Sequence, residues 1–247
     1  MSHIITRPAA LVRQGDLRLY ATSFQVRDLL IDRFYDIERL DPENPNDVGY
    51  QRVLNKARAR KLADYLVSGH EQQDAFLPTS LFLATDKNIP FDAATNTITF
   101  DITQVGPFSV VDGQHRIEGF RIAAEKQPEL LNFEVPVNIA INLPNIAQMC
   151  HFLIVNTTQK SVDAGVEQRI YARLNAATSF EDVPSLPKWI KRIVERGDDD
   201  KALQIADYLN DTPESPWYNK IKMANQDAKG ATTNQGSFVK LVTRNLY

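Results

Sequence analysis

The segment 110–120 constrains the fold of this 247-residue chain more than any other, because an apolar run passes through Asp112-Gly113 into a helical pattern. The β-branched residues before the dipeptide are typical of a buried strand. After it, Ile117 and Phe120 have the spacing of one helix face. Glycine allows the backbone to turn sharply. The segment therefore predicts a strand, a tight turn and a helix in direct succession.

A helix that begins at such a turn presents backbone N–H groups and the positive end of its dipole, which suits a phosphate group. His115 and Arg116 add a donor and a fixed cation, and a guanidinium can form two parallel hydrogen bonds to phosphate. Asp112 could cap the helix, act as a general base or bind magnesium. An ordinary strand–turn–helix is the alternative. The anion-site prediction fails if the turn is covered and Arg116 is bound to an internal carboxylate.

The first 160 residues carry both strand and helix signals. Turns are expected at 14–16 and 92–96, the second as a hairpin turn between the strands at 80–84 and 97–100. Pro136 is expected to restrict its strand to a sheet edge or to mark a bulge. The predicted strands are 17–22, 80–84, 97–100, 108–111, 133–141 and the run 152–155. The predicted helices are 23–40, 53–67 with Ser68-Gly69 as its end, and a short one after Pro144.

From about residue 161 the strand signals stop. Helices are predicted at 163–177, 187–196 and 200–210 and from about Ser237 onward. We therefore expect an α+β protein with a mixed-sheet domain over 1–160 and a helical region over 161–247. Because the last helical pattern reaches Tyr247 without a capping residue or a polar tail, we expect that the native chain continues.

A basic stretch covers residues 52–61, at the start of the second predicted helix, and it contains no acidic residue. It is either a solvated helix face or a patch that faces an anion. The whole chain has a net charge of −3, which excludes a uniformly positive surface for non-specific nucleic-acid binding but not a local basic patch. The basic residues are Arg52, Lys56, Arg58, Arg60 and Lys61.

The composition limits the other chemistries. The single cysteine, Cys150, excludes an intramolecular disulfide and a multi-cysteine metal site, and its apolar neighbours favour a small core residue. The four histidines lack the spacing of a two-histidine metal motif, and Asp198–Asp200 is better explained as a helix cap than as a magnesium site. With neither a signal-peptide core nor the about 20 apolar residues of a membrane span, we expect a soluble cytoplasmic protein.

Residues 112–116 have the sequence DGQHR, and on this motif the chain resembles the DGQHR-domain family. That family includes the DNA sulfur-modification regulator DndB and other proteins encoded with DNA-modification systems. Further similarities follow in the same order along the chain: Gln14-Gly15 before a strand, Gly49-Tyr50-Gln51-Arg52 before the basic helix, Leu77-Pro78 before a strand, Asn156-Thr157-Thr158-Gln159-Lys160 after an apolar run, and Ser237-Phe238-Val239 near the end.

The family is similar in turn to the ParB/sulfiredoxin superfamily, whose members bind a nucleotide phosphate at this turn. The resemblance implies a ParB/sulfiredoxin-like first domain. Sulfiredoxin has Gly-Cys-His-Arg where this chain has Gly113-Gln114-His115-Arg116. Because Gln114 cannot form a thiolate, sulfinic acid reduction is not expected.

The residue chemistry, the charge pattern and the resemblance together suggest roles for individual residues. Asp112 and His115 are candidate catalytic residues. The candidate phosphate-binding residues are Gly113, Gln114, His115, Arg116, Gln159 and Lys160, and the candidate DNA-binding residues are Gln51, Arg52, Lys56, Arg58, Arg60 and Lys61.

Two functions are compatible with these features. We favour a DNA-binding regulator or accessory factor of a DNA-modification system that retains a phosphate-binding turn and acts in transcription. The alternative is an enzyme that hydrolyses ATP or CTP with Mg²⁺ or transfers its phosphate, and whether there is turnover is left open. The implied partners are DNA, a nucleotide, other proteins of a DNA-modification system and a second copy of the chain. No membrane partner and no protein-bound metal are expected.

Overall fold

The computed structural model describes residues 3–41, 44, 49–159, 163–176, 188–227 and 230–246. The chain forms two compact units. The first consists of Met1–Glu38 with Leu54–Gln148, and the second of Arg39–Val53 with Met149–Tyr247. No helix in the described part of the chain is both long and apolar enough to cross a bilayer.

An eight-stranded mixed sheet forms the first unit, with the order β3-β7-β4-β8-β2-β1-β6-β5 across the sheet. Neighbouring strands pair antiparallel, except that β3 is parallel to β7 and β4 is parallel to β8. In chain order the strands are β1 (Ile4–Gln14), β2 (Leu17–Gln25), β3 (Tyr35–Asp36), β4 (Leu81–Ala84), β5 (Phe91–Asp92), β6 (Thr97–Asp101), β7 (Phe108–Asp112) and β8 (Glu134–Ala140).

The sequence predictions located most of these strands. β4, β6 and β7 coincide with the predicted runs, and β1 and β2 meet at the predicted turn, where Gly15 has a φ of 58°. β1 itself was not predicted. The turn at 93–96 joins β5 to β6 instead of joining the strand at 80–84 to β6, because the two-residue strand β5 pairs with the start of β6.

The helix predicted over residues 23–40 is wrong. β2 continues to Gln25 alongside β8, and the helix that follows, α1, comprises only Val26–Leu29. The rings of Phe24 and Phe34 meet edge-on in the core, with centroids 5.4 Å apart. Their burial against a sheet accounts for the apolar pattern that had suggested a helix face.

The prediction that Pro136 restricts its strand to an edge is also wrong, since β8 lies between β4 and β2. Pro136 is opposite Ser23 of β2, whereas β4 pairs only with Val137–Ala140. Pro136 therefore has a neighbouring strand on one side alone. Its missing N–H removes no hydrogen bond to β4.

Helices pack on this sheet, and their apolar side chains enter its core. α2 and α4 contribute Leu66 and Phe120 to the same buried cluster as Leu83 and Val110 of the strands. α2 confirms the predicted second helix, although it continues past Gly69 instead of ending there. The helices of this unit are α1, α2 (Lys56–Gln72), α3 (Ile102–Val105), α4 (Gln114–Lys126) and a 3-10 helix (Pro128–Asn132).

The second unit is mainly helical. α5 (Asn145–Gln159) begins in the first unit and continues into the second, so the run 152–155 is helical and its prediction as a strand is wrong. No glycine or proline interrupts α5, and an apolar run of this length buries its side chains equally well as a helix. The remaining elements are α6 (Ala164–Ala176), α7 (Lys188–Arg196), α8 (Asp198–Asp211), α9 (Gln235–Leu246) and the strands β9 (Ile221–Lys222) and β10 (Thr233–Asn234).

The described residues thus form an α+β protein with a large curled mixed sheet, as predicted. The four predicted helices after residue 160 are confirmed with small shifts of their ends. The parallel pair of β9 and β10 was not predicted, because two-residue strands carry no periodic signal. A small core that includes Ala206, Ile221 and Phe238 joins β9 to α8 and α9. The ParB/sulfiredoxin-like topology stays a prediction.

Candidate functional site

The predicted strand, turn and helix are present around the DGQHR segment. β7 ends at Asp112, and α4 begins at Gln114. Gly113 between them has a φ of 115°, a value that side chains other than glycine rarely adopt. A Cβ at this position would lie 2.4 Å from Cδ2 of Leu81. Both the backbone conformation and the packing therefore require glycine here.

The guanidinium of Arg116 is held within the turn. Its Nη2 donates to Oδ2 of Asp112 at 2.6 Å, and its Nη1 donates to the carbonyl oxygens of Thr79 and Ser80 at 2.9 and 2.8 Å. Burial lowers the pKa of Arg116, and the Asp112 carboxylate opposes that shift. The carboxylate balances the charge of Arg116. This ion pair is the observation that was expected to count against an anion site at the turn.

Asp112 does not cap α4, which corrects one of its predicted roles. The N-cap residue is Gly113, and no side chain accepts a hydrogen bond there. The amides of Arg116 and Ile117 both donate to the carbonyl oxygen of Gly113, at 2.8 and 3.0 Å. The carboxylate of Asp112 turns instead to the guanidinium one helical turn further on, because an ion pair at i,i+4 is within its reach.

His115 connects the turn to the start of α2. Its Nε2 accepts a hydrogen bond from the backbone nitrogen of Asn55 at 3.0 Å, so Nε2 carries no proton in this arrangement. Asn55 is the N-cap residue of α2, and its side chain accepts from the backbone nitrogen of Arg58. His115 thus fixes the residue that caps the basic helix. An asparagine directly before a helical run is a capping signal that sequence reasoning missed.

α2 and α4 lie side by side with their N-termini at the same end. Asn55 meets His115 at that end, and Asp64 of α2 pairs with Lys126 of α4 at 2.7 Å further along. Between these points a Cβ on Gly119 would lie 2.8 Å from Cδ2 of Leu62. The positive ends of two helix dipoles are therefore neighbours.

The basic residues of α2 lie on its outward face. Ala59, Ala63 and Leu66 are buried on the other face. The first turn of α2 contains no acidic residue. Among the described residues, Arg58, Arg60 and Lys61 form no ion pair. The exposed cations are Lys56, Arg58, Arg60 and Lys61.

One acidic side chain of α4 lies near this basic face. Glu118 accepts hydrogen bonds from Arg121. This contact is the main reason why the pKa of Glu118 is lowered, and the charge of Lys56 lowers it further. Arg121 also pairs with Glu125 at 2.5 Å. Glu118 is thus committed mainly to its own helix, and it leaves the outer cations of α2 without compensation.

Other predicted site residues lie elsewhere. Gln51 is only 2% exposed and Gln114 only 4%, so neither side chain is presented to DNA or to an external phosphate. Gln51 and Arg52 belong to the second unit, whereas α2 belongs to the first. Gln159 is the last residue of α5, and Lys160 lies outside the described residues.

The buried groups of α5 agree with a structural role. Cys150 is 1% exposed, and burial raises the pKa of its thiol to about 12, so the prediction of a core residue is confirmed. Burial lowers the pKa of the neighbouring His151. Within the described ranges, no group of three or more His, Cys, Asp or Glu side chains could hold a metal ion.

The fold and this site define an α+β protein in which a strand–turn–helix supports the start of an exposed basic helix. A family model described as DndB, DNA-sulfur modification-associated, matches residues 7–177. The chain therefore belongs to the DndB family. No curated protein and no solved structure matches the chain.

Proposed function

We propose that the chain is a DNA-binding regulator or accessory factor of DNA sulfur modification, and that the exposed cations of α2 contact the DNA backbone. One observation carries the proposal. Arg58, Arg60 and Lys61 are exposed near the N-terminus of α2, and no described residue forms an ion pair with them.

The position of these cations argues against a purely structural role. A cation in the first turn of a helix, where Lys56 and Arg58 lie, opposes the dipole, and such an interaction amounts to about 0.3–1 kcal/mol. The neighbouring N-terminus of α4 adds to the same positive potential. Stability alone would favour acidic residues at this end, but α2 has none in its first turn. DNA phosphates at this end of the helix would attract both the cations and the helix N-terminus.

The net charge of −3 is consistent with a local contact surface of this kind. A protein that slides on any duplex usually carries a large positive charge. A small basic face on an otherwise acidic chain instead favours binding at particular DNA sites, with an affinity that falls as the salt concentration rises. This is the behaviour expected of a regulator that acts at particular DNA sites.

The DGQHR turn enters this proposal as the support of α2. His115 holds the cap residue Asn55, and Arg116 is occupied by Asp112 and two carbonyl oxygens. Hydrolysis of ATP or CTP at the turn would need Arg116 to leave these partners. The geometry therefore supports DNA binding by α2 better than phosphoryl transfer at 112–116.

The test is fluorescence anisotropy of a labelled duplex over a salt series from about 50 to 200 mM, the range in which electrostatic binding to phosphates weakens steeply. The variant R58Q/R60Q/K61Q should bind more weakly, and the slope of log affinity against log salt should fall by roughly 0.9 for each phosphate that α2 no longer neutralises. The control R13Q/R18Q/R27Q removes the same charge from exposed positions on β1, β2 and α1 and should keep the wild-type slope.

An equal reduction of affinity in both triple variants would contradict α2 as the contact surface. A second assay measures phosphate release from ATP and CTP with Mg²⁺. Turnover in the wild type that disappears in His115→Ala would favour the enzymatic alternative.

A further inference from the structure

A polar cleft of about 540 Å³ lies in the second unit. Its walls come from three parts of that unit: the segment 39–53, the residues around 222–227 after β9, and the starts of α6 and α9. The volume falls within the range of about 300–1,000 Å³ that is usual for small-molecule sites. No residue of the DGQHR turn or of α2 lines it.

Cations outnumber carboxylates in this cleft. Arg39, Arg52 and Lys222 line it together with Asp163 and Asp227. Oδ1 of Asp163 already accepts hydrogen bonds from two amides at the start of α6. Lys222 is exposed and has no ion-pair partner in the described part of the chain. The cleft is therefore positive on balance.

The start of α9 adds to this potential. Asn234 lines the cleft, and its Oδ1 accepts from the backbone nitrogen of Ser237 at 2.9 Å. A neutral asparagine satisfies this amide without cancelling the positive end of the helix dipole, which an aspartate would do. The dipole of α9 therefore reinforces the three cations.

Asn225 holds one wall of the cleft in place. Its side-chain nitrogen donates to the carbonyl oxygens of Leu40 and Gln51 at 3.0 and 3.1 Å, and its oxygen accepts from the backbone nitrogen of Val53 at 3.0 Å. The carbonyl oxygen of Asn225 accepts from Arg39 at 3.0 Å. One residue thus binds the segment that carries both arginines.

Gln235 fixes the start of α6 and residue 224 to the start of α9. It is 1% exposed, accepts from the backbone nitrogen of Ala224 at 3.2 Å and donates to the carbonyl oxygen of Gly165 at 2.9 Å. Its oxygen also accepts from Nε of Arg169 at 3.1 Å. Walls fixed by such buried bonds require little further ordering when a ligand binds.

One sequence motif that the DNA-binding proposal does not use lines this cleft, and another begins directly beside it. Arg52 of the Gln51-Arg52 motif lines it, and Gly236 lines it directly before the Ser237-Phe238-Val239 motif. They are 184 positions apart in the chain (236 − 52). The fold of the second unit brings them to one small volume.

We propose that this cleft binds the phosphate groups of a free nucleotide-sized compound, with Arg39, Arg52 and Lys222 contacting the phosphates. The ligand is small because the cleft is small, and it is anionic because the cations exceed the carboxylates. The site is independent of the DNA-binding proposal, since it uses a different unit and different residues.

Isothermal titration calorimetry of the full chain with ATP, CTP and inorganic pyrophosphate tests this site. Lys222→Gln should weaken binding roughly tenfold or more, because a hydrogen bond to a charged group contributes about 1.5–3 kcal/mol. Arg52→Gln should weaken it in the same direction. The matched control is Lys220→Gln, two residues earlier, exposed and outside the cleft. It should retain wild-type affinity.

The proposal would be overturned if none of the three probes bound at millimolar concentration, or if Lys222→Gln and Lys220→Gln bound ATP with equal affinity. It would also be overturned if a short duplex displaced ATP and Lys222→Gln lowered the affinity for that duplex. The last result would assign the cations to DNA. Pyrophosphate bound as tightly as ATP supports the proposal, because phosphate then supplies the affinity. R58Q/R60Q/K61Q should leave ATP affinity unchanged, so the two proposals can fail separately.

Discussion

Nε2 of His115 lies 3.0 Å from the backbone nitrogen of Asn55 and accepts its hydrogen. The fourth residue of the DGQHR motif therefore anchors the residue that caps the basic helix. His115→Ala should lower the free energy of unfolding by about 1 kcal/mol, the usual net value of one hydrogen bond. It should also weaken DNA binding, because the start of α2 loses its anchor.

Urea denaturation and the anisotropy assay measure these two effects. His3→Ala is the control, since the side chain of His3 is exposed and should change neither. A His115→Ala protein with wild-type stability would show that the hydrogen bond to Asn55 has no structural importance.

The ion pair of Arg116 with Asp112, at 2.6 Å, leads to a second prediction. Arg116→Ala should cost about 2–4 kcal/mol of unfolding free energy, because a carboxylate and two carbonyl oxygens lose their donor in a partly buried site. Asp112→Asn keeps an acceptor and should cost less. A double-mutant cycle of Arg116→Ala and Asp112→Ala should give a clear coupling energy. Additive effects would mean that the two side chains act separately.

A comparison of Gly113 with Gly230 separates the cost of the backbone conformation from the cost of the clash with Leu81. Its φ is 115°, and Leu81 would lie 2.4 Å from an added Cβ; Gly230 has a φ of 92° with nothing within 4 Å. Gly230→Ala should lower stability only through the conformational strain, by about 1–3 kcal/mol. Gly113→Ala should lower it clearly more, because Leu81 must move. Equal destabilisation in thermal or urea unfolding would show that the clash with Leu81 is easily relieved.

Asn225 should be the most sensitive loop position of the second unit. Its side chain bonds three backbone groups of the segment 39–53, so Asn225→Ala should cost about 2–4 kcal/mol at roughly 1 kcal/mol per bond. Asn219→Ala is the matched control, because Asn219 has a similar φ, 53° against 60°. Hydrogen exchange at Leu40 and Val53 should accelerate in the first variant alone. Unchanged exchange there would contradict the role of Asn225.

The buried side chain of His151 should make the unfolding free energy depend on pH. Burial lowers its pKa below the ordinary 6.5, so the unfolded chain binds the proton more readily than the folded chain. The unfolding free energy should therefore fall as the pH drops from about 6.5 toward the lowered folded value. His151→Gln should flatten this part of the pH profile. A wild-type profile that is flat between about pH 7 and 5 would be inconsistent with a buried neutral ring.

The strands β4, β6 and β7 and the helices α2 and α4 could be predicted because their patterns are local. Each contains the period of its own element, and the turn at Gly113 needs a conformation that few other residues adopt. The cluster of cations in α2 was visible in the sequence, and their exposure follows from the burial of Ala59, Ala63 and Leu66 on the other side of the helix. The failures at 23–40 and 152–155 arose where an apolar run buries equally well as a strand or as a helix.

The sequence by itself thus determined the strand–turn–helix, the basic helix and the α+β class, because those depend on neighbours within a few positions. Only the tertiary structure decided the partners of the DGQHR side chains. The sequence allowed Asp112 to cap a helix or bind an ion, and in the fold its carboxylate pairs with Arg116 at 2.6 Å. Arg52, predicted to contact DNA, lines a cleft together with Lys222 and Asn234. A side chain's role depends on which charges the fold brings beside it, and contacts between distant residues leave no periodic trace in the chain.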